Sequence, residues 1–558
     1  MNTTLSLSIF FFQISITTFF LASSGFLFRK IVINSNHQFK FEEDGLFGFI
    51  LIGFLSVLFN FFLPLNSLLN SIIFLAVLIL SFFFGIVSKL NKKILKKILI
   101  TSLIAFLLII YSNVNRPDAW LYHLPYSKII NEHKIIIGIA NVHSRFAHIS
   151  IFQYISSFFN NYFLFKNGVL IPIALVASFF FMFAYKEFAK NFKLKPYRIY
   201  SYVVFLLLVF SLYAFNRYSE YGNDAQAHLF YFLFFILLLK STIKKNYNEV
   251  VVIELFFLSL FLFLIKPTFV LVSLIPFILF LKNKKKEKIN KSISFLIYCS
   301  FLTIWLVKNI LTNGCLIYPL NITCSEKFFW KTYDIQINAS ENEAWSKGWP
   351  DFNSNNEVNQ LEYSKNFNWV ETWLENHFLF IIKKIIPIVI FLLLNFLILY
   401  FTKSLKKNLY DKTYFYIFLF TVFFLLVWFI KFPLYRLGIS QIFTFLLLLS
   451  YLLFIQFINT DKLLTYFKPL KFFLLLILFI VISKNLLRIN DNSNNRISPS
   501  VYFSNETNVT KVYNDKNIFT HYKPPLNNLC GYLISPCSHL SKNISVTNYW
   551  SYTIYYKE

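Results

Sequence analysis

The sequence predicts an all-α fold, a polytopic transmembrane helix bundle of about 14 spans with outer-side loops and a small C-terminal soluble tail. Three observations predict it. Of 558 residues, 57% are hydrophobic, 21% aromatic and only 14% charged, far from the balance of a soluble domain. The apolar residues recur in runs of about 16 to 23, the length a helix needs to cross ~30 Å of hydrocarbon. The basic excess, a net charge of +27, falls in short clusters between alternate runs, which is how a membrane protein fixes its orientation. A nucleic-acid footprint would be a continuous basic face, so nucleic acid is not an expected partner.

Taken in order, the first run, 5–27, opens as MNTTLSLSIF without a positive n-region and ends at Arg29 and Lys30. It reads as a retained helix with its N-terminus outside and not as a cleaved signal. Runs at 45–63 and 71–88 complete an N-terminal extension, 1–97, closed by Lys89, Lys92, Lys93, Lys96 and Lys97. A core, 98–311, holds runs at 98–113, 168–185, 199–216, 226–240, 249–265, 268–281 and 292–311, with a first outer loop at 114–167. A large outer loop, 312–377, precedes a C-terminal block, 378–488, with runs at 378–401, 413–430, 438–457 and 472–488. The soluble tail is 489–558. On this alternation every lysine cluster, from Lys40 to Lys471, falls on one side, the cytoplasmic one by the positive-inside rule. The long loops lie on the other side, so chemistry is expected to face outward from a bacterial inner (plasma) membrane. Segment 147–166 reads as an interfacial helix, because a span there would invert the lysine pattern. The run at 226–240 and the two that meet at Lys266-Pro267-Thr268 are short for a bilayer, which suits helices buried in the bundle or lining a cavity.

Among the five cysteines, Cys299 lies in an apolar run, whereas Cys315/Cys324 and Cys530/Cys537 form two close pairs in outer segments. They read as two disulfides of an oxidising compartment or as neighbouring thiols.

Three places carry ionisable groups that anchoring alone does not call for. The first is NRPDAWLYHLP, where Asp118 follows an apolar run directly and is flanked by Arg116, Trp120, Tyr122 and His123. Pro117 and Pro125 argue for a kinked loop or short helix, and a partly desolvated carboxylate there is suited to general-base work, or to capping a helix. The second is NRYSEYGNDAQAHLF, with Arg217, Glu220, Asp224 and His228; Asp224 and His228 share a helix face and suit a divalent metal, magnesium or manganese, or each other. The third is Lys266 in LFLIKPTFVL, a cation at a costly depth whose natural guest is a lipid phosphate or diphosphate, the alternative being a snorkelling lysine. Arg436, Arg145 and Lys308 are further cations not fixed by spacing. Trp330, Trp345, Trp349, Trp369 and Trp373 in the large loop suit stacking on a sugar or resting as a lid at headgroup level.

These motifs resemble the GT-C superfamily of polytopic glycosyltransferases. The likeness rests on an acid in the first long outer loop (Asp118), an Arg followed by an Asp in a short outer loop (Arg217, Asp224) and a Lys-Pro between short helices (Lys266-Pro267). It also rests on VKNILTNGCLIYPL, similar to the superfamily's Arg-Asn…Gly-x-Pro-x-Tyr-Pro segment, with Lys308 in place of the Arg and Cys315-Leu316 departing from Asn-Pro. The resemblance spans 98–320 and implies an inverting transfer from a polyprenyl-phosphate-linked sugar to a lipid, glycan or protein acceptor. It further implies a catalytic base at Asp118, acceptor or metal contacts at Asp224, and donor-phosphate contacts at Lys266 and Arg217; the residues themselves add His123 and His228 beside Asp224 as positioning acceptor or metal. Asp118 is followed by Ala119, so the paired-acid form of the first motif is absent, and the three spans ahead of the core mark a divergent member. Two rivals share the features: a lipid-linked glycan flippase or transporter, which calls for charges in the cytoplasmic half, and a polysaccharide polymerase or ligase, which calls for catalytic residues in 312–377.

Overall fold

The structure, a computed structural model, describes residues 3–34, 36–112, 118–216, 221–244, 247–282, 292–333, 335–348, 360–401, 412–493, 509–525, 529–540 and 544–557. The chain is mostly helical, and each apolar run of the sequence coincides with helix. Among the described residues nine helices are long and apolar enough to cross a membrane.

Helices α1 (Thr3–Phe28) and α2 (Phe41–Asn60) form a hairpin on which α3 (Ser67–Phe83) and α4 (Lys92–Ile109) pack. Asn66 and Asn91 cap α3 and α4 by accepting from backbone N–H groups of their first turns, which lipid cannot satisfy. The first outer loop contains α5 (Leu124–Glu132) and α6 (Ile151–Phe158). The bundle's centre is α7 (Ile171–Asn191), α8 (Arg198–Ala214), α9 (Asp224–Lys244) and α10 (Glu249–Ile265), with phenylalanine rings meeting between them, such as Phe230 with Phe261 and Phe180 with Phe232. Next come α11 (Leu274–Lys282), α12 (Ile293–Asn313) and α13 (Ile335–Ser346) in the large loop. The peripheral helices α14 (Leu379–Phe401), α15 (Lys412–Lys431) and α17 (Phe467–Ser493) present apolar side chains outward, while α16 (Tyr435–Leu453) turns its inner face to α9.

Two local readings of the sequence change. At eight residues, about 12 Å of helix, α6 cannot span, and all of its residues are buried against α2, α5 and α7 instead of lying at an interface. The run at 226–240 extends to a helix of 21 residues because both polar ends of α9 are paired, Asp224 with Lys266 and Lys240 with Glu187.

About 24 Å separates those ends along α9. The Lys240 end holds a buried charge network that the sequence had offered only as topology signals. Arg29 meets Glu43 at 3.1 Å, Asp44 at 3.0 Å and Glu254; Glu42 takes Lys97 and Lys186; Glu187 takes Lys240 and the Tyr200 hydroxyl. Pairing of this kind offsets the cost of taking charges out of water.

The tail is docked, not a separate appendage, and it adds strand structure to a chain expected to be all helix. Strands β1 (Thr510–Tyr513) and β2 (Phe519–Lys523) pair antiparallel, as do β3 (Ser545–Tyr549) and β4 (Tyr552–Tyr556), with Thr547 opposite Ile554. Strand β4 exchanges backbone hydrogen bonds with Ile137, at 3.0 Å to Thr553 and 2.9 Å from Tyr555. The Tyr532 hydroxyl donates to Asn131, Ser538 to the Val142 carbonyl and Tyr552 to the Phe61 carbonyl. Cys530 and Cys537 are disulfide-bonded, and between them Gly531, at φ +59°, donates to the Trp120 carbonyl. A Cβ at Gly531 would stand 2.4 Å from the Trp120 ring, so only glycine permits this dock. A second disulfide joins Cys315 to Cys324 in the large loop; Cys299 is a free thiol.

Candidate functional site

Asp118 heads a continuous helical stretch: one π-type turn, Ala119–His123, runs into α5. Pro125, which has no N–H to donate, falls just past the junction where the π-type hydrogen-bond pattern gives way to that of α5. Asp118 makes no capping hydrogen bond. Its carboxylate instead faces the Arg436 guanidinium at 3.5 Å.

Asp224 is the first residue of α9, and its Oδ1 is ion-paired with Lys266 Nζ. Lys266 stands where α10 stops. Its backbone is extended (φ −148°, ψ 119°) because Pro267 forbids a helical residue before it and cannot donate back, and a 3-10 turn, Pro267–Ser273, follows. The other Asp224 oxygen lies 3.9 Å from Arg436 Nε. Asp118, Arg436, Asp224 and Lys266 therefore form one alternating chain of charges drawn from four segments, with side chains 22–50% exposed and open to a ligand.

Arg436 lies in the first turn of α16, and its approach is set by packing. The indole N–H groups of Trp373 and Trp428 donate to the carbonyls of Pro433 and Leu434, at 2.7 and 3.0 Å. Gly438 lets the helix lie against Trp428, where a Cβ would be 2.3 Å from the ring. His228, one turn below Asp224, donates from Nε2 to the Arg436 carbonyl and accepts at Nδ1 from Ser440, both at 2.8 Å. The backbone exits toward Asp118 and Asp224 are held by the last helix: Arg488 donates to the carbonyls of Leu107 and Ile110, and Asn485 to that of Asn216.

The sequence reading is altered residue by residue. Asp118, Asp224 and Lys266 converge as one group. His228 is buried with both ring nitrogens engaged, so it positions Arg436 and neither ligates a metal nor pairs with Asp224. His123 is buried in the wall, its ring tilted against Tyr122 and edge-on to Tyr221. Gln153 fixes it: its Oε1 accepts from Ser150 N in a capping box, so its Nε2 must donate to His123 Nδ1, leaving the ring proton on Nε2. Burial, only partly offset by Asp118 and Asp224, lowers His123 to about 4, so it is neutral at neutral pH. Burial first, then the Asp118 charge, raises Tyr122 above the usual phenol range, which keeps it a hydrogen-bond donor. Arg217, Glu220, Arg116 and Pro117 lie outside the described residues. Lys308 is buried away from the cluster, its ammonium 4.2 Å from the Trp305 ring centre and bonded to Asn309.

Both carboxylates of the cluster already face cations, and among the described residues no group of three or more His, Cys, Asp or Glu side chains could hold a metal ion. The donor set suits an anion between Lys266 and Arg436 better than a cation between the acids. The large-loop tryptophans divide. Trp369 and Trp373 are buried, Trp330 donates to the Ile310 carbonyl, Trp349 lies outside the described residues, and Trp345 stands 57% exposed.

One protein family, described as "Domain of unknown function (DUF8201)", matches residues 7–443. The chain belongs to the DUF8201 family. The match covers all four charged residues of the cluster, from Asp118 to Arg436, and stops before the docked tail. Comparison of this DUF8201 protein with curated proteins and with solved structures gives no match.

Proposed function

We propose that the protein is a membrane glycosyltransferase that moves a sugar from a polyprenyl-phosphate donor to an acceptor, at the outer face of a bacterial inner membrane that it crosses about 14 times. The observation that carries this reading is the Asp118–Arg436–Asp224–Lys266 chain of charges, at the end of the bundle where the long loops emerge. Lys266 and Arg436 receive the donor phosphate, Arg436 taking the role that the resemblance to GT-C enzymes gave to Arg217. A phosphate entering between them competes for both cations, so Asp118 is released from Arg436 as the donor binds. Asp118 then takes the proton of the acceptor hydroxyl, which attacks the anomeric carbon from the face opposite the leaving phosphate. The C–O bond to phosphate breaks, and its charge grows between the two cations, the place where fixed positive groups lower a barrier most. Asp224 holds Lys266 in place, and the neutral His123 and protonated Tyr122 form the wall.

Incubating purified protein with a radiolabelled polyprenyl-phosphate sugar and membrane acceptors tests the proposal. Transfer by the wild type and its loss in Asp118→Asn are expected; equal transfer by Asp118→Asn removes the base. A second reading, a lipid-linked glycan transporter, draws on the buried Arg29–Glu43–Asp44–Glu254 network in the opposite half. Flipping of a labelled glycolipid in proteoliposomes, abolished by Arg29→Gln and untouched by Asp118→Asn, would select it.

A further inference from the structure

Beside the charge cluster, among the described residues, lies a cavity of about 420 Å³ between the first loop, α13 and the tail. Leu121, His143, Arg145, Asn338, Glu341 and His539 line it. A second cavity, of about 150 Å³, shares the Arg145, Asn338 and Glu341 wall and continues to Trp345. Together they make a polar groove with one end at the helical turn that carries Asp118: Leu121 belongs to that turn, and the Arg145 guanidinium stands 6.0 Å from the ring centre of the adjacent Tyr122. At the far end is the exposed indole of Trp345.

We infer that this groove is an acceptor subsite for a short oligosaccharide, which stacks a sugar ring on Trp345, hydrogen-bonds through Arg145, Asn338 and Glu341, and directs its terminal hydroxyl toward Asp118. The inference rests on the transferase reading and specifies its acceptor. Three features select a saccharide. The volume is within the ~300–1,000 Å³ of small-molecule sites, and the wall alternates donors with the Glu341 acceptor, as vicinal hydroxyls require. An exposed aromatic face beside polar groups gains from an apolar sugar face, where a lipid tail would strand the polar wall. A peptide added as a further strand finds no free edge at β4, which has β3 on one side and Ile137 on the other. His539 Nδ1, buried in this wall without a hydrogen-bond partner among the described residues, adds a polar atom for a hydroxyl to satisfy.

Fluorescently labelled full-length protein in detergent, applied to a printed array of oligosaccharides of defined sequence and to a peptide array, tests this without donor or turnover. Binding to a restricted set of oligosaccharides is expected, with a loss of about tenfold or more in Trp345→Ala and Arg145→Ala, which remove the aromatic face and a charged hydrogen-bond donor respectively. Trp550→Ala, which removes an exposed indole that lines neither cavity, should bind as the wild type does. The subsite is overturned if the wild type retains no oligosaccharide, if Trp345→Ala and Arg145→Ala retain the same ones equally, or if only peptides bind. Size-exclusion profiles matching the wild type confirm that the variants fold. Groove binding by an Asp118→Asn protein that still transfers sugar would sink the transferase mechanism alone; transfer by a wild type that binds nothing in the groove would sink the subsite alone.

Discussion

Replacing Lys266 by Met separates a catalytic cation from a structural one. The Lys266 and Asp224 side chains are only 22% and 27% exposed, so losing the pair costs more than the ~0–1 kcal/mol of an exposed one and less than the ~3–5 kcal/mol of a fully buried one. Asp224 also keeps Arg436 at 3.9 Å, so the variant should fold with a lowered melting temperature. Turnover responds differently. Two unit charges ~4 Å apart at an effective dielectric of ~20 attract by about 4 kcal/mol, and the part that counts is what grows as the phosphate departs. Removing one fixed group that stabilises developing negative charge costs about 100- to 1,000-fold in kcat, and that is the fall expected in initial-rate transfer from a labelled polyprenyl-phosphate sugar. Adding Asp224→Asn removes the uncompensated carboxylate, so the double variant should regain thermal stability without regaining turnover. Wild-type turnover in Lys266→Met, or a double variant that recovers activity along with stability, would refute the assignment of Lys266 to the leaving phosphate.

Other perturbations reach the same site by different routes. His228→Phe keeps the ring stacked near Phe215 but abolishes the bonds to Ser440 and the Arg436 carbonyl, at ~1–3 kcal/mol of stability; donor KM should rise more than kcat falls, measured by titrating donor. Gly438→Ala gains up to ~1 kcal/mol of helix propensity but drives a Cβ into Trp428, an overpacking worth ~1–3 kcal/mol, so net destabilisation with reduced turnover is expected in paired melting and rate measurements. Burial lowers His123 to about 4 and His148 to about 3, whereas an unfolded histidine titrates near 6.5. Between those values the unfolded chain binds protons that the folded chain refuses, so stability should fall as pH drops from about 6.5 toward 4, by up to about 1.4 kcal/mol per pH unit for each group. Thermal melts across that range should show the slope, reduced in His148→Phe.

The helices were legible because apolar runs of helical length leave few alternatives, and the break at Lys266 was legible because Pro267 enforces it. What side chains at i and i+4 do was not. Asp224 and His228 do share a helix face, yet they point to different partners, Lys266 and the start of α16, because packing 42 and 208 residues away decides the outcome. Arg436 was one of several unplaced cations; the Trp428–Leu434, Trp373–Pro433 and His228–Arg436 bonds, all distant in sequence or blind to hydropathy, bring it between the two acids. The docking of the tail runs through backbone bonds at Ile137 and Trp120, which leave no mark in hydropathy. The inner charge network did leave one, three acids in a row at Glu42, Glu43 and Asp44 beside an apolar run, a pattern that suits a solvated helix start as well as the buried cations it meets.

The most direct measurement is an experimental structure of the full-length protein with a polyprenyl phosphate bound. Phosphate density within hydrogen-bond reach of both Lys266 and Arg436, with Asp118 turned away from the guanidinium, is the predicted result. Phosphate seated anywhere else, at the Arg29 network above all, with the Asp118–Arg436 pair undisturbed, would contradict it.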